Sequence, residues 1–382
     1  MIAALRGRLL RFLRRVRERP RLDWPLMLGL ALLIALGLTV LYSAADRSNA
    51  VIVGQGVRLM LGAALLLLAS RIPPTLWRSW TPWIYGLSVG LLILVAIMGE
   101  GRGAVRWLDL GVMRFQPSEI LKLSVPMMVA WYLHPRQLPP NWVDIAVVAL
   151  IVAVPAGLIA EQPDLGTALL VAAAGVFVLF LSGLSWWRIG AMLAAAVAAI
   201  PVGWHFLHDY QRQRVLMLLD PSADPLGSGW HIIQSKIAVG SGGLFGKGWH
   251  QGTQSRLEFL PEHTTDFIFA VLAEEFGLLG VVLLLLLYGF IIGRSLWVAM
   301  QARDTYSRLL GGAIAMSFSV YVLVNGGMIA GVLPVVGVPL PLISYGGTSA
   351  VQLLTAFGVL MSAYSHRKLL PDHGLRHGRL RQ

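Results

Sequence analysis

The chain has no cysteine, which excludes disulfides, thiolate metal sites and a thiol nucleophile. It is also poor in charge. Asp, Glu, Lys and Arg make up 13% of its 382 residues, where a soluble domain carries about a quarter. No Walker sequence, dinucleotide fingerprint, HExxH or Gly-x-Ser-x-Gly occurs, so nucleotide chemistry has no visible apparatus. Low-complexity tracts and long linkers are missing too. So is a convincing internal repeat, which counts against the inverted-repeat pattern of many transporters.

What is present is apolar. Hydrophobic residues reach 56%, and the mean hydropathy is +0.69. They fall in runs of roughly 16–22, the length that crosses a bilayer core of about 30 Å. Backbone polarity leaves helices as the spanning element. The expectation is an all-α polytopic membrane protein with about ten transmembrane helices, near 25–44, 51–70, 79–98, 116–133, 143–160, 166–183, 188–206, 265–293, 308–331 and 345–365.

The net charge of +12 sits mainly at the ends. Arg6, Arg8, Arg11, Arg14, Arg15, Arg17, Arg19 and Arg21 crowd the start, and Arg367, Lys368, Arg376, Arg379 and Arg381 the finish. Basic flanks around a hydrophobic bundle read as cytoplasmic anchors rather than a nucleic-acid surface. An even number of crossings places both termini in the cytoplasm. The chain divides into a basic segment 1–24, a transmembrane domain 25–366 and a basic tail 367–382. The first apolar run is long and lacks a small-residue cleavage pattern, so no cleavable signal peptide is expected.

Three outer connections carry polarity: Glu100 to Phe115, the turn Glu161-Gln162-Pro163-Asp164, and a large extracytoplasmic loop, 207–264, between helices 7 and 8. A loop that long is usually functional. Gly227 to Gly252 is Gly-rich with Trp230 and Trp249, so part of it suits the membrane surface, and 230–240 fits a short amphipathic helix.

Asp266 opens the eighth span, which is over-long: about 29 residues at 1.5 Å give roughly 43 Å. The carboxylate then stands on the order of 10 Å outside the hydrocarbon, at the height of lipid phosphates. It is either the base of an enzyme acting on a lipid-linked substrate, or a helix N-terminal carboxylate complementing the dipole, with Thr264 or Thr265 as cap. The dipole keeps it ionised either way, and the neighbouring His263 either tunes it or is simply a solvated loop residue.

Glu119 and Lys122, at i and i+3 after Pro117, lie inside the fourth apolar run, where a lone charge costs about 2.5–3.5 kcal/mol. They are a self-neutralising pair, or the wall of a polar cavity in which Lys122 binds phosphate and Glu119 orients it or a metal. Arg102, Arg106 and Trp107 precede that helix; they are solvated loop groups or a pyrophosphate grip. Gln162 and Asp164 border the same cavity or cap a turn. Glu274 and Glu275 point to interhelical hydrogen bonds. Pro339 to Ser349 reads as a re-entrant-like element.

These residues carry a resemblance. Arg106-Trp107-Leu108-Asp109-Leu110-Gly111, Arg114-Phe115-Gln116-Pro117-Ser118-Glu119, Gln162-Pro163-Asp164-Leu165-Gly166-Thr167, Phe259 to Phe267 and Pro341 to Ser349 resemble the SEDS family (shape, elongation, division and sporulation) in its order. Gln211 to Pro221 and Gly240 to Gly252 match as well. The similarity covers about 85 to 365. Arg106 to Asp109 and Ala273-Glu274-Glu275 favour the RodA-type branch; Thr264 is a small departure that leaves Asp266 in register.

The resemblance implies a ten-span peptidoglycan glycosyltransferase in the bacterial cytoplasmic (inner) membrane, polymerising lipid II during elongation. Its partners would be lipid II, undecaprenyl-pyrophosphate-linked glycan, a class B penicillin-binding protein and other elongation-complex membrane proteins. The family's key Asp falls on Asp266 and its polar pair on Glu119 and Lys122. No organic cofactor is implied; a divalent cation, magnesium or manganese, has Glu119 as its candidate ligand. The competing class is a lipid II flippase; a third is a scaffold for the penicillin-binding protein.

Overall fold

The computed structural model describes residues 22–98, 108–109, 114–206, 209–219, 228–256 and 262–366. Arg102, Arg106 and Trp107 lie outside the described residues, as do both basic termini. The described chain is all-helical but for a two-residue antiparallel ribbon, Leu108–Asp109 (β1) with Arg114–Phe115 (β2).

The helices, in order, are α1 (Trp24–Ala44), α2 (Asn49–Arg71), α3 (Pro74–Met98), α4 (Pro117–Leu133), α5 (Trp142–Glu161), α6 (Leu165–Leu181) and α7 (Trp186–Phe206). Next come α8 (Asp209–Leu219), α9 (Ser228–Ser241), α10 (Thr253–Arg256), α11 (Ile268–Met300), α12 (Thr305–Ile329) and α13 (Thr348–Ser365). Seven of these are long and apolar enough to cross a membrane: α1, α2, α3, α5, α7, α11 and α12. The shorter α4 and α13 are largely buried in protein, whereas α6 keeps Leu169, Val176 and Phe180 exposed on one face. This is a polytopic membrane protein. The large loop is not bare, because α8, α9 and α10 occupy it, and α9 contains the stretch read as a short helix.

Helix ends follow local chemistry. Asp23 caps α1 by accepting from the Leu26 N–H at 3.1 Å. It also receives Arg294 in a two-pronged grip at 2.9 and 2.8 Å, tying α1 to α11. Asn141 and Asp144 form a capping box at the start of α5. In the core, Phe318 lies between Tyr288 and Phe357, with centroids 5.7 and 5.1 Å away.

The eighth predicted span needs correction. Helix α11 begins at Ile268 and runs to Met300, and it breaks at Gly277 (φ 63°, ψ −162°), a conformation open essentially to glycine alone. The loop after α9 enters the break. Lys247 and Gly248 N–H groups bond the Glu274 and Glu275 carbonyls, both at 3.0 Å. Leu278 and Leu279 N–H groups bond the Gly243 and Leu244 carbonyls at 2.9 and 3.1 Å. A Cβ on Gly246 would overlap the Glu275 carbonyl, so these glycines serve close backbone approach. Leu244 and Phe245 remain exposed at the loop tip.

Candidate functional site

The α12–α13 connection, 330–347, is mostly non-helical, yet its polar groups are met. Asn325 Nδ2 donates to the Val338 carbonyl at 2.8 Å, and Tyr288 OH to the Pro341 carbonyl at 2.8 Å. Ser344 Oγ accepts from the Leu340 N–H at 2.7 Å and donates to the Thr265 carbonyl at 2.5 Å. Tyr345 N–H bonds the Thr264 carbonyl at 2.8 Å. This irregular strap, buried against protein, fixes the turn 262–267 that carries Asp266.

A cleft of about 910 Å³, open mouth included, forms between that turn, the strap, the start of α4, the α5–α6 turn and α8. Asp266, Glu119, Lys122, Asp164, Gln116 and Arg214 all line it. The structure thus unites Asp266 with the Glu119–Lys122 pair, some 145 residues away in sequence.

Pro117 occupies the first turn of α4, where its missing N–H costs nothing. One turn on, Lys122 Nζ meets Glu119 Oε1 at 2.7 Å, with both side chains buried. Glu119 Oε2 is buried without a partner, so the carboxylate keeps an acceptor for an incoming group. Asp164 caps α6 through the Thr167 N–H at 3.2 Å and accepts from Gln116 Nε2 at 3.0 Å. It therefore both caps and borders the cleft. Gln162 turns inward instead, donating to the Leu92 carbonyl.

Asp266 is not a helix cap. Phe267 stands at the N-cap of α11 with no side-chain bond, and neither Thr264 nor Thr265 takes that place. Nor is the carboxyl held down by a dipole. Burial pushes it up to about 6, the Glu262 charge adds to the rise, and Arg214 opposes it. The value suits a base working near neutral pH.

Glu274 and Glu275 serve the loop rather than the cleft. Glu274 accepts from Lys247 Nζ at 2.6 Å and the Thr253 N–H at 2.8 Å. Glu275 accepts from Ser43 Oγ at 2.5 Å, and this bond does link two helices.

Arg214 and Asn325 escape a reading by sequence. Arg214 lies in a segment too polar to announce itself, although Asp209 to Leu219 contains no helix breaker. Asn325 is a polar residue within an apolar span, a signal worth following. Among the described residues no three His, Asp or Glu side chains group to hold a metal. Glu119 has one oxygen committed to Lys122, so the described residues build no all-protein cation cage.

Comparison with known proteins gives the chain its family. The FTSW_RODA_SPOVE model of cell cycle proteins matches residues 23–369. Peptidoglycan glycosyltransferase MrdB of Escherichia coli K12 is 50% identical over 355 residues, 92% of this chain and 96% of that protein. Probable peptidoglycan glycosyltransferase FtsW of Trichlorobacter lovleyi is 35% identical over 384 residues, 96% of this chain and 99% of that protein. Among solved structures, a chain of a peptidoglycan synthase complex matches with a TM-score of 0.79 at 38% identity, covering 91% of this chain and 98% of its own. The rod shape determining protein RodA of Thermus thermophilus matches with a TM-score of 0.69 at 32% identity, covering 92% and 99%. By sequence and by fold, this chain belongs to the FTSW_RODA_SPOVE family of cell cycle proteins.

Proposed function

We propose that this chain is a peptidoglycan glycosyltransferase that polymerises lipid II at the outer face of the bacterial inner membrane during elongation. The carrying observation is the cleft that gathers a carboxyl poised near neutrality, a buried lysine–carboxylate pair and an arginine. The two curated relatives bear peptidoglycan glycosyltransferase names, which supports the reaction class. The match to a chain of a peptidoglycan synthase complex supports a class B penicillin-binding protein as partner.

Asp266 takes the proton from the acceptor's 4-hydroxyl. The freed oxygen attacks the anomeric carbon of the lipid-linked donor strand, a C–O bond forms with inversion, and the bond to pyrophosphate breaks. Lys122 and Arg214 hold the departing undecaprenyl pyrophosphate, with Arg102 and Arg106 assigned the same task from the sequence and Trp107 beside them. Glu119 orients Lys122 and offers Oε2 to a sugar hydroxyl. General-base catalysis contributes about 10²–10⁴-fold; positioning and charge stabilisation contribute more.

Three carboxyl groups, Asp266, Glu119 and Asp164, face two cations, Lys122 and Arg214, across the cleft. A pyrophosphate entering that field calls for further positive charge. A magnesium or manganese ion arriving on the pyrophosphate, with one protein carboxylate as ligand, fits better than a preformed metal site.

The test is purified protein with its partner, in detergent, supplied with lipid II. Wild type is expected to yield glycan strands and Asp266→Ala none, while folding and partner binding persist. Strands made by Asp266→Ala would remove the assigned base. Detergent permits no transport, so absence of product from the wild type would favour the flippase.

A further inference from the structure

A polar chamber lies behind Lys122, on the side away from the cleft. Three helices that pack on one another enclose it: α4 with Lys122 and Pro126, α12 with Ser317 and Tyr321, and α13 with Gln352. Lys122 borders both the chamber and the cleft, so it forms a wall between them. Ser317 stands twelve residues before Ile329, about 18 Å of helix from that end of α12. At such depth the surrounding lipid supplies no hydrogen bonds.

The polar atoms here outnumber their protein partners. Ser317 Oγ and Gln352 Oε1 are buried and meet no hydrogen-bond partner among the described residues. The Tyr321 hydroxyl turns toward Lys122 without the geometry of a direct bond, and Lys122 Nζ lies 5.5 Å from the Tyr321 ring centroid. Pro126 adds a backbone acceptor. It has no N–H, so the Lys122 carbonyl loses its helical donor. The ammonium has three N–H donors, of which Glu119 Oε1 takes one at 2.7 Å. Buried polar groups left unmet are costly.

The chamber has room for one or two water molecules and nothing larger. Chloride would suit the ammonium but not the oxygens of Gln352 and the Lys122 carbonyl. Sodium would suit those oxygens but not the ammonium. Water accepts from the one and donates to the others.

We propose that the chamber holds an ordered water bound to Lys122 Nζ, and that Tyr321, through this water, is a positioning residue for the ammonium. The water accepts one N–H and donates toward Gln352 Oε1 or the Lys122 carbonyl, with the Tyr321 and Ser317 hydroxyls bracing it. Glu119 takes a second N–H, and the third stays aimed into the cleft. That this third donor meets a pyrophosphate oxygen rests on the glycosyltransferase reading.

The first test is pulsed X-ray hydroxyl-radical labelling of full-length protein in nanodiscs, read by mass spectrometry. Radiolysis of a bound water oxidises the side chains beside it, however buried. Tyr288 is the internal control, being 1% exposed with its hydroxyl bonded to the Pro341 carbonyl; Tyr321 is 2% exposed. Tyr321 is expected to label several times faster than Tyr288. Equal rates would overturn the proposal without recourse to any variant.

The second test is lipid II polymerisation with the partner present. Ser317→Val fills the chamber and expels the water, whereas Ser317→Ala widens it and lets the water stay. Ser317→Val and Tyr321→Phe are expected to lower kcat about tenfold with KM little changed, and Ser317→Ala to stay near wild type. Packing alone predicts the reverse order for the two Ser317 variants, since alanine leaves the larger void. Ser317→Ala as impaired as Ser317→Val, or full activity in Tyr321→Phe, would overturn the positioning role. Fast labelling at Tyr321 without polymer from the wild type keeps the water and sinks the enzyme reading; polymer with Tyr321 labelled no faster than Tyr288 sinks the water alone.

Discussion

Asn325, late in α12, donates through Nδ2 to the carbonyl oxygen of Asp266 at 2.8 Å, and equally to that of Val338. One side chain thus joins the turn carrying Asp266 to the strap facing it. Asn325→Ala leaves two carbonyls unpaired and should cost about 2–3 kcal/mol of stability. The expected kinetic effect is a kcat lowered roughly 10- to 100-fold with KM for lipid II little changed, since a displaced base harms the step more than binding. Asn325→Asp keeps the shape but sets an acceptor against two acceptors, and should do no better. Equal losses in kcat and 1/KM would contradict a positioning role.

The raised Asp266 carboxyl makes a pH prediction of definite sign. Folded protein binds this proton more tightly than the unfolded chain, so the group favours folding at low pH and that contribution is lost as pH rises from about 4 to about 6. At neutral pH the ionised group opposes folding. Asp266→Asn should therefore raise the Tm above pH 7, by at most about 3 kcal/mol of stability, while abolishing polymerisation. Wild-type activity should fall as pH drops through about 6. Activity flat from pH 5 to pH 8 would rule out Asp266 as the titrating base.

Glu119 and Lys122 depend on each other because both are buried. Removing either strands a charge, so Glu119→Gln and Lys122→Met should each destabilise by about 3–5 kcal/mol. The double variant removes both charges and should recover most of the Tm, yet make no glycan. Thermal unfolding of the three proteins, with lipid II assays, separates the structural part of the pair from the chemical part.

Gly277→Ala tests the break in α11. Alanine disfavours φ 63°, ψ −162°, and its Cβ would overlap the Gly246 nitrogen. Stability should fall by about 3 kcal/mol or more. Amide exchange should quicken at Lys247, Gly248, Leu278 and Leu279, whose N–H groups bridge helix and loop. A variant as stable as wild type would show that the loop is not locked there.

Much of the architecture is legible in the chain because a membrane imposes a simple rule on apolar length. The spans near 25–44, 116–133, 143–160 and 166–183 fall within two residues of α1, α4, α5 and α6 at each end. The Glu119–Lys122 pair is equally local, since three residues of helix set the two side chains on one face. Where context matters the reading weakens. Helix α8 is short, polar over Asp209 to Arg214 and apolar over Val215 to Leu219, a block rather than a stripe of helical period. The break at Gly277 comes after no proline; it exists because a glycine loop from elsewhere supplies the missing hydrogen bonds.

The sequence by itself settled the features that depend on neighbours along the chain: the apolar spans, the i, i+3 ion pair and the carboxyl at the head of α11. Tertiary structure alone decided that Asp266, Glu119, Lys122 and Arg214 share one cleft, and that the Asp266 carboxyl is pushed up rather than held down. The reason is that burial and the approach of charges remote in sequence depend on how helices pack, and no local pattern encodes that packing.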